Sequence, residues 1–139
     1  MVVRLVKDTP GTGARARSVV LIVSTHALLG ALLGVLVELG GYSADFPEPH
    51  EATPDAMSRL RPAVVLVEAK HDAAREEDSY RRAAESGSAL FLFGHVSERS
   101  DLDDLARQYG VRAFELPIDY ADLEALLGAA AQRSAARRG

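Results

Sequence analysis

Three short apolar runs in this chain, and a fourth strand-like segment, lead into residues that stand together if the strands are parallel. Ser18–Val23 (SVVLIV) leads into Ser24-Thr25-His26, Ala63–Val67 (AVVLV) into Glu68, Ala89–Phe93 (ALFLF) into Gly94-His95, and Val111–Leu116 into Pro117. A carboxylate beside two hydroxyls can form a hydrogen-bonded cluster, and a hydroxyl-rich strand end can hold a phosphate or a nucleotide. His26, His71 and His95 together with Glu68 offer the donor types of a zinc site. No closely spaced pair such as HxxxH accompanies them, so a metal is not expected. Gly11-Thr12-Gly13 precedes the first run rather than following it, and neither GxxxxGK[ST] nor GxGxxG occurs, which argues against a phosphate loop. Spacing alone assembles no Ser-His-Asp or Cys-His set, and the strand-end AspxHisxxGly of a cobalamin site is absent. No catalytic residue and no cofactor is implied.

The elements that must position these residues alternate along the chain. Ser18–Val23 reads as a strand buried on both faces. Ala27–Leu39 reads as a helix stopped by Gly40-Gly41, and Ser43–Pro47 as a short strand. Glu51–Leu60 is a helix ending before Pro62, Ala63–Val67 a strand, and Ala73–Glu85 a polar helix. Ala89–Phe93 is a further strand, followed by a helix over Ser97–Tyr109 with Ser97 as N-cap and Gly110 as stop. Val111–Leu116 and Tyr120–Arg133 complete five β-α units. Strands alternating with helices imply right-handed crossovers and a parallel sheet covered on both sides. The expected fold is therefore α/β, a flavodoxin-like five-stranded parallel sheet of order 2-1-3-4-5, with functional groups beyond the carboxyl ends of the strands. Residues 1–17 read as a Gly/Pro/Thr-rich lead-in, 18–133 as the domain, and 134–139 as a basic tail.

Composition narrows the function classes. A formal charge of −4 argues against nucleic acid as an obligate partner, because phosphate backbones call for a basic face. No cysteine is present, which removes disulfides and thiolate metal sites. Val19–Leu39 is long enough to suggest a membrane span, but Ser24-Thr25-His26 divides it into strand, turn and helix, and no span is expected. Met1–Arg17 lacks the long apolar stretch of a secretory leader, so a cytoplasmic protein is expected.

Three landmarks give the chain a family resemblance. The first helix ends in Gly41-Tyr42, Arg61-Pro62-Ala63-Val64-Val65-Leu66-Val67 looks like a basic-Pro-aliphatic strand, and Phe114-Glu115-Leu116-Pro117 closes the last strand. Over Ser18–Arg133 this resembles the receiver domain of bacterial two-component response regulators, the CheY-like family. The resemblance implies an Asp nucleophile ending the third strand, and an acidic pair after the first that helps hold Mg²⁺. It also implies a Ser or Thr after the fourth strand and a Lys before the Pro after the fifth. Here the nucleophile position is Glu68 and the acidic pair is Ser24 and Thr25. The hydroxyl position falls on Phe93 or Gly94, and the Lys position on Leu116 or a deletion. Loss of metal ligands, nucleophile and lysine together should abolish phosphotransfer.

Two features qualify this reading. Glu68 could imitate a permanently phosphorylated aspartate, but a partly buried carboxylate should find hydroxyl donors or take up a proton; a structural cluster with Ser24 and Thr25 is the expected outcome. Ala27–Val37 carries no charge, so the first helix is apolar all round. Leu28, Leu32, Val35, Leu36 and Leu39 are expected to face the sheet. That leaves Leu29, Leu33 and Val37, with Gly30 and Gly34, as an interface for a homodimer or another protein. The reading as a whole is a non-enzymatic pseudo-receiver. It is expected to work without phosphorylation by docking to a histidine kinase or regulator. The alternative is a small-ligand or nucleotide-binding domain using the Ser24/Thr25/Glu68 edge.

Overall fold

In the computed structural model, which describes residues 17–138, the β-branched run after Ser18 forms β1 (Val19–Val23). There follow α1 (Ala27–Leu39), β2 (Ser43–Asp45), α2 (Thr53–Leu60), β3 (Val64–Glu68), α3 (Glu77–Ser86), β4 (Ala89–His95), α4 (Arg99–Tyr109), β5 (Arg112–Leu116) and α5 (Tyr120–Arg138). Apart from Arg17, the expected lead-in lies outside the described residues. All strand pairs are parallel and the order is β2-β1-β3-β4-β5, the flavodoxin-like arrangement expected.

Successive side chains of a strand point to opposite faces, and both faces here are covered. Val20, Ile22, Val64, Leu66, Phe91 and Phe93 pack against α1 and α5 through Leu33, Val37, Leu123, Leu127 and Ala130. Leu21, Val23, Val65, Val67, Leu90 and Leu92 pack against α2, α3 and α4 through Met57, Ala83, Leu102 and Leu105. A strand buried on both sides has no polar face to alternate with. That is why β1, β3 and β4 read as unbroken apolar runs.

Several elements differ from expectation. The segment expected as one helix from Ala73 is a 3₁₀ turn over Asp72–Arg75 followed by α3. Ser97 does not cap α4. A 3₁₀ turn (Val96–Glu98) intervenes, and His95 caps it by accepting from the Ser97 amide. The helix α5 continues to Arg138 rather than ending at Arg133, so the basic residues expected as a tail extend the helix. Ser134 is buried and donates to the Gly87 carbonyl at 2.6 Å.

Apart from Leu36, which packs partly buried against the core as expected, the facing of α1 is the opposite of the one expected. Leu33 is 2% exposed and Val37 fully buried, whereas Leu28 is 70% exposed and Leu32, Val35 and Leu39 are each more than half exposed. Gly30 and Gly34 are buried with Leu33 and Val37, and Leu29 is half-buried. These residues therefore cannot form the interface. The glycines explain the choice of face. A Cβ on Gly34 would lie 3.2 Å from the Phe46 ring and 3.6 Å from the Ala44 Cβ. The glycine side of the helix is the side that can come closest to β2 and the residues after it.

Candidate functional site at the carboxyl edge of the sheet

Parallel pairing delivers the ends of β1, β3, β4 and β5 to one edge. The register sets Val23 beside Val67, Glu68 beside Phe93, Gly94 beside Glu115, and His95 beside Leu116. Among the described residues, Glu68 is the only charged one that is buried, with 4% exposure. Taking a carboxylate out of water is costly unless hydrogen bonds replace the lost hydration. Its Oε1 has three donors: Thr25 N at 2.8 Å, Thr25 Oγ1 at 2.9 Å and Ser24 Oγ at 2.9 Å. The His26 amide in turn donates to Ser24 Oγ at 3.1 Å, which fixes that hydroxyl at the entry to α1. Hydrogen bonds to an ionised acceptor are roughly twice as strong as neutral ones. The strand-end residues of β1 are thus bound to the strand-end residue of β3.

A second carboxylate, Glu98, lies in the same cleft. Its Oε1 accepts from the His95 amide at 3.0 Å, closing a capping box over the 3₁₀ turn, and its Oε2 pairs with Lys70 Nζ at 2.8 Å. The bond with Lys70 holds the Glu98 carboxyl below the usual carboxylate range and the Lys70 ammonium above its own. A Cβ on Gly94 would stand 3.0 Å from Glu98 Oε1. The carboxylate therefore fills the space into which any larger residue at position 94 would project. Sequence reasoning sought a cation at Leu116 and missed Lys70, which follows β3 by two residues. It also missed Glu98, although His95-x-x-Glu98 has the spacing of a capping box.

The cleft encloses about 420 Å³ and is bordered by Glu68, Lys70, His95, Glu98, Leu116 and the first turns of α1. It does contain an ammonium, contrary to expectation, but Glu98 engages it. His26 borders this cleft and also a second one of about 310 Å³, where His71 lies. His71 and His95 are thus on different clefts, each with Nδ1 accepting a backbone amide, from Ala73 and Ser97 respectively. Among the described residues, no three His, Asp or Glu side chains converge in a way that could hold a metal ion.

A strand-end carboxylate, two loops meeting it, and a Pro after β5 on a 2-1-3-4-5 sheet invite comparison with solved structures. A response regulator receiver protein from Burkholderia phymatum superposes with a TM-score of 0.67 at 17% identity, over 84% of this chain and 96% of that one. The chain has the receiver fold. The signal receiver domain of a modulated diguanylate cyclase from Desulfovibrio desulfuricans G20 matches equally well, with a TM-score of 0.67, 21% identity, and 86% and 97% of the two chains covered. A streptococcal redox sensor, from a family described as evolved from two-component response regulators, matches at a TM-score of 0.61 and 15% identity. That match covers 83% of this chain and 51% of that one. No protein-family model and no curated protein matches the sequence.

Laid on the receiver fold, the residues singled out from sequence gather as follows. Ser24, Thr25 and Glu68 form one hydrogen-bonded unit, Gly94 abuts Glu98, and Leu116 borders the cleft. Chemically the unit is a tie between loops. Oε1 of Glu68 is shared among three donors, and Ser24 Oγ also lies 3.2 Å from the His26 carbonyl oxygen. A hard divalent cation requires several anionic or carbonyl oxygens turned toward it, and here the groups beside Glu68 are donors. No helix among the described residues is long and apolar enough to cross a membrane, and the run 19–39 divides into β1 and α1.

Proposed function

We propose that this chain is a phosphorylation-independent receiver-type domain that serves two-component signalling in the cytoplasm as a protein-interaction module without catalytic turnover. The observation that carries the reading is the engagement of Glu68 Oε1 by Ser24 and Thr25, uncharged residues that stand where an acidic pair is expected. In the family it resembles, the corresponding carboxylate must be free to attack phosphorus and to share a magnesium ion with acidic neighbours. Here those neighbours are uncharged hydroxyls that donate to one oxygen of the carboxylate. The Lys70–Glu98 pair supports the same reading, since the nearby cation is bound by an internal anion that also abuts Gly94. The output of such a domain comes from the surface it presents, to a kinase, a regulator or another signalling protein.

The same network disfavours a nucleotide or phosphate pocket, because the hydroxyls that would bind the anion already serve Glu68. The test is an amide-resolved NMR titration with Mg²⁺ and then with beryllofluoride. Resonances of Thr25, His26, Ala69 and His95 should stay in place at millimolar concentrations of both. Saturable shifts centred on these amides would show that the cleft still takes the metal and the phosphoryl mimic, and the proposal would be lost.

A further inference from the structure

We infer that the amino edge of the sheet carries a separate binding site for a small aromatic anion, its carboxylate or phosphate drawn by Arg112 and Arg133 and its ring laid among Phe91, Tyr80 and Tyr109. The inference goes beyond the reading of the carboxyl-edge site and shares no residue with it.

The cavity arises where the strand ladder begins. Ala89 and Leu90 of β4 pair with Val64 and Val65 of β3, but pairing of β4 with β5 starts only at Phe91, opposite Arg112. The first two residues of β4 therefore have no strand beside them on the β5 side. Gly110 turns the chain there with a φ of 67°, and a Cβ built on it would meet nothing within 4 Å. The space left encloses about 460 Å³, within the range of small-molecule sites.

Its walls are apolar and aromatic. Leu90 and Phe91 line it from β4 and are buried. Tyr80 of α3 and Tyr109 of α4 line it as a stacked pair, with ring centroids 3.9 Å apart and planes 4° apart. The Tyr80 hydroxyl donates to the Ala74 carbonyl at 2.6 Å and the Tyr109 hydroxyl to the Arg75 carbonyl at 3.3 Å. The polar ends of both rings are thus satisfied within the protein. Aromatic rings favour a further flat ring, offset or edge-on, beyond the area it buries.

Charge selects the head group. The chain has a formal charge of −4, yet no Asp or Glu borders this cavity. The two clefts at the carboxyl edge do contain carboxylates, Glu68 and Glu98 in one and Glu48 and Glu51 in the other. Arg112 and Arg133 are exposed at the cavity, and neither forms an ion pair among the described residues. Arginines of the adjoining helices do: Arg81 pairs with Asp78, Arg82 with Glu85 and Arg107 with Asp104. The Arg112 guanidinium lies over the Phe91 ring, 6.0 Å from its centroid, at the range of a cation–π contact. A guanidinium presents a rigid fork that fits a carboxylate or phosphate. A neutral ring would leave both guanidiniums in water, and an inorganic anion would leave the aromatic walls bare. An aromatic anion uses both.

An amide-resolved NMR titration of the full chain tests this. The probes are 2-naphthoate and adenosine 5′-monophosphate, which separate the carboxylate from the phosphate head, with 2-naphthylmethanol and adenosine as uncharged counterparts. At least one anion should give saturable shifts centred on Leu90, Phe91, Val111 and Arg112 at millimolar concentration, leaving Thr25 and His95 in place. Its uncharged counterpart should bind at least about tenfold more weakly, as should the anion to Arg112→Gln/Arg133→Gln, because bonds to charged groups are lost. Ala84→Trp, which enlarges an exposed residue of the cavity wall, should block binding with unchanged circular dichroism. The absence of saturable shifts with either anion would overturn the inference. So would equal binding of the uncharged counterpart, binding indifferent to the arginine variant, or shifts centred on the carboxyl edge.

Discussion

Removing the donors of Glu68 should cost far more than removing Glu68 itself. In the Ser24→Ala/Thr25→Val variant the carboxylate keeps only the Thr25 amide. At 4% exposure it has little access to water in place of the lost bonds. Each bond to a charged acceptor is worth about 1.5–3 kcal/mol. Partial exposure of the donors discounts this, and the double variant should lose roughly 2–4 kcal/mol. In Glu68→Leu the situation reverses. The hydroxyls of Ser24 and Thr25 lie toward solvent and can bond to water, so the loss should be within about 1 kcal/mol. The triple variant should then resemble Glu68→Leu alone, giving a coupling of about 2–4 kcal/mol between the carboxylate and its donors. Urea denaturation measures all four species, with an unchanged m-value as the check that only stability has moved. Additive losses in the triple variant would refute the reasoning, because they would mean that the donors stabilise the loop independently of Glu68.

Other outcomes follow from the same geometry. Gly94→Ser places a Cβ against Glu98 Oε1 and should lose about 1–2 kcal/mol, reduced to near zero in a Glu98→Ala background, as calorimetry would show. Leu33→Ala should cost about 2–5 kcal/mol and Leu32→Ala no more than about 0.5, a contrast that chemical denaturation reads directly as the facing of α1. The Lys70–Glu98 pair gives a pH signature. The depressed Glu98 carboxyl contributes fully above its ordinary 4.5 and is lost as pH falls through its lower folded value. The contribution of the raised Lys70 is full below its ordinary 10.5 and is lost as pH rises through its higher folded value. The His95 amide, which donates to Glu98, should therefore hold its chemical shift between those limits and move outside them, with the acid midpoint raised in Lys70→Met.

The sheet was legible because burial on both faces leaves each central strand as a short continuous apolar run, and each run stops at a polar or Gly/Pro turn. The parallel sheet followed from that alternation, and the strand order from the commonest arrangement of five β-α units. The orientation of α1 was not legible by the same means. Its two candidate stripes, Leu28/Leu32/Val35/Leu39 and Leu29/Leu33/Val37, are equally hydrophobic, so periodicity cannot rank them. Gly30 and Gly34 held the information, since small residues belong where the backbone approaches closest, and Phe46 occupies that space. The tie between Glu68 and Ser24/Thr25 was readable from strand ends once the strands were ordered. Lys70 and Glu98 were not, because their meeting depends on how two loops of different strands turn toward each other above the sheet. Position 116, where a cation was sought, faces the cleft with a leucine.

The central claim is that a carboxylate whose Oε1 is held by three donors, with hydroxyls in place of acidic neighbours to share a metal, does not accept a phosphoryl group. Incubation of the full chain with acetyl phosphate and Mg²⁺, followed by intact-mass spectrometry under conditions that preserve acyl phosphates, tests it most directly. The account predicts an unchanged mass at every time point. A gain of one phosphoryl group, absent in Glu68→Gln, would contradict it.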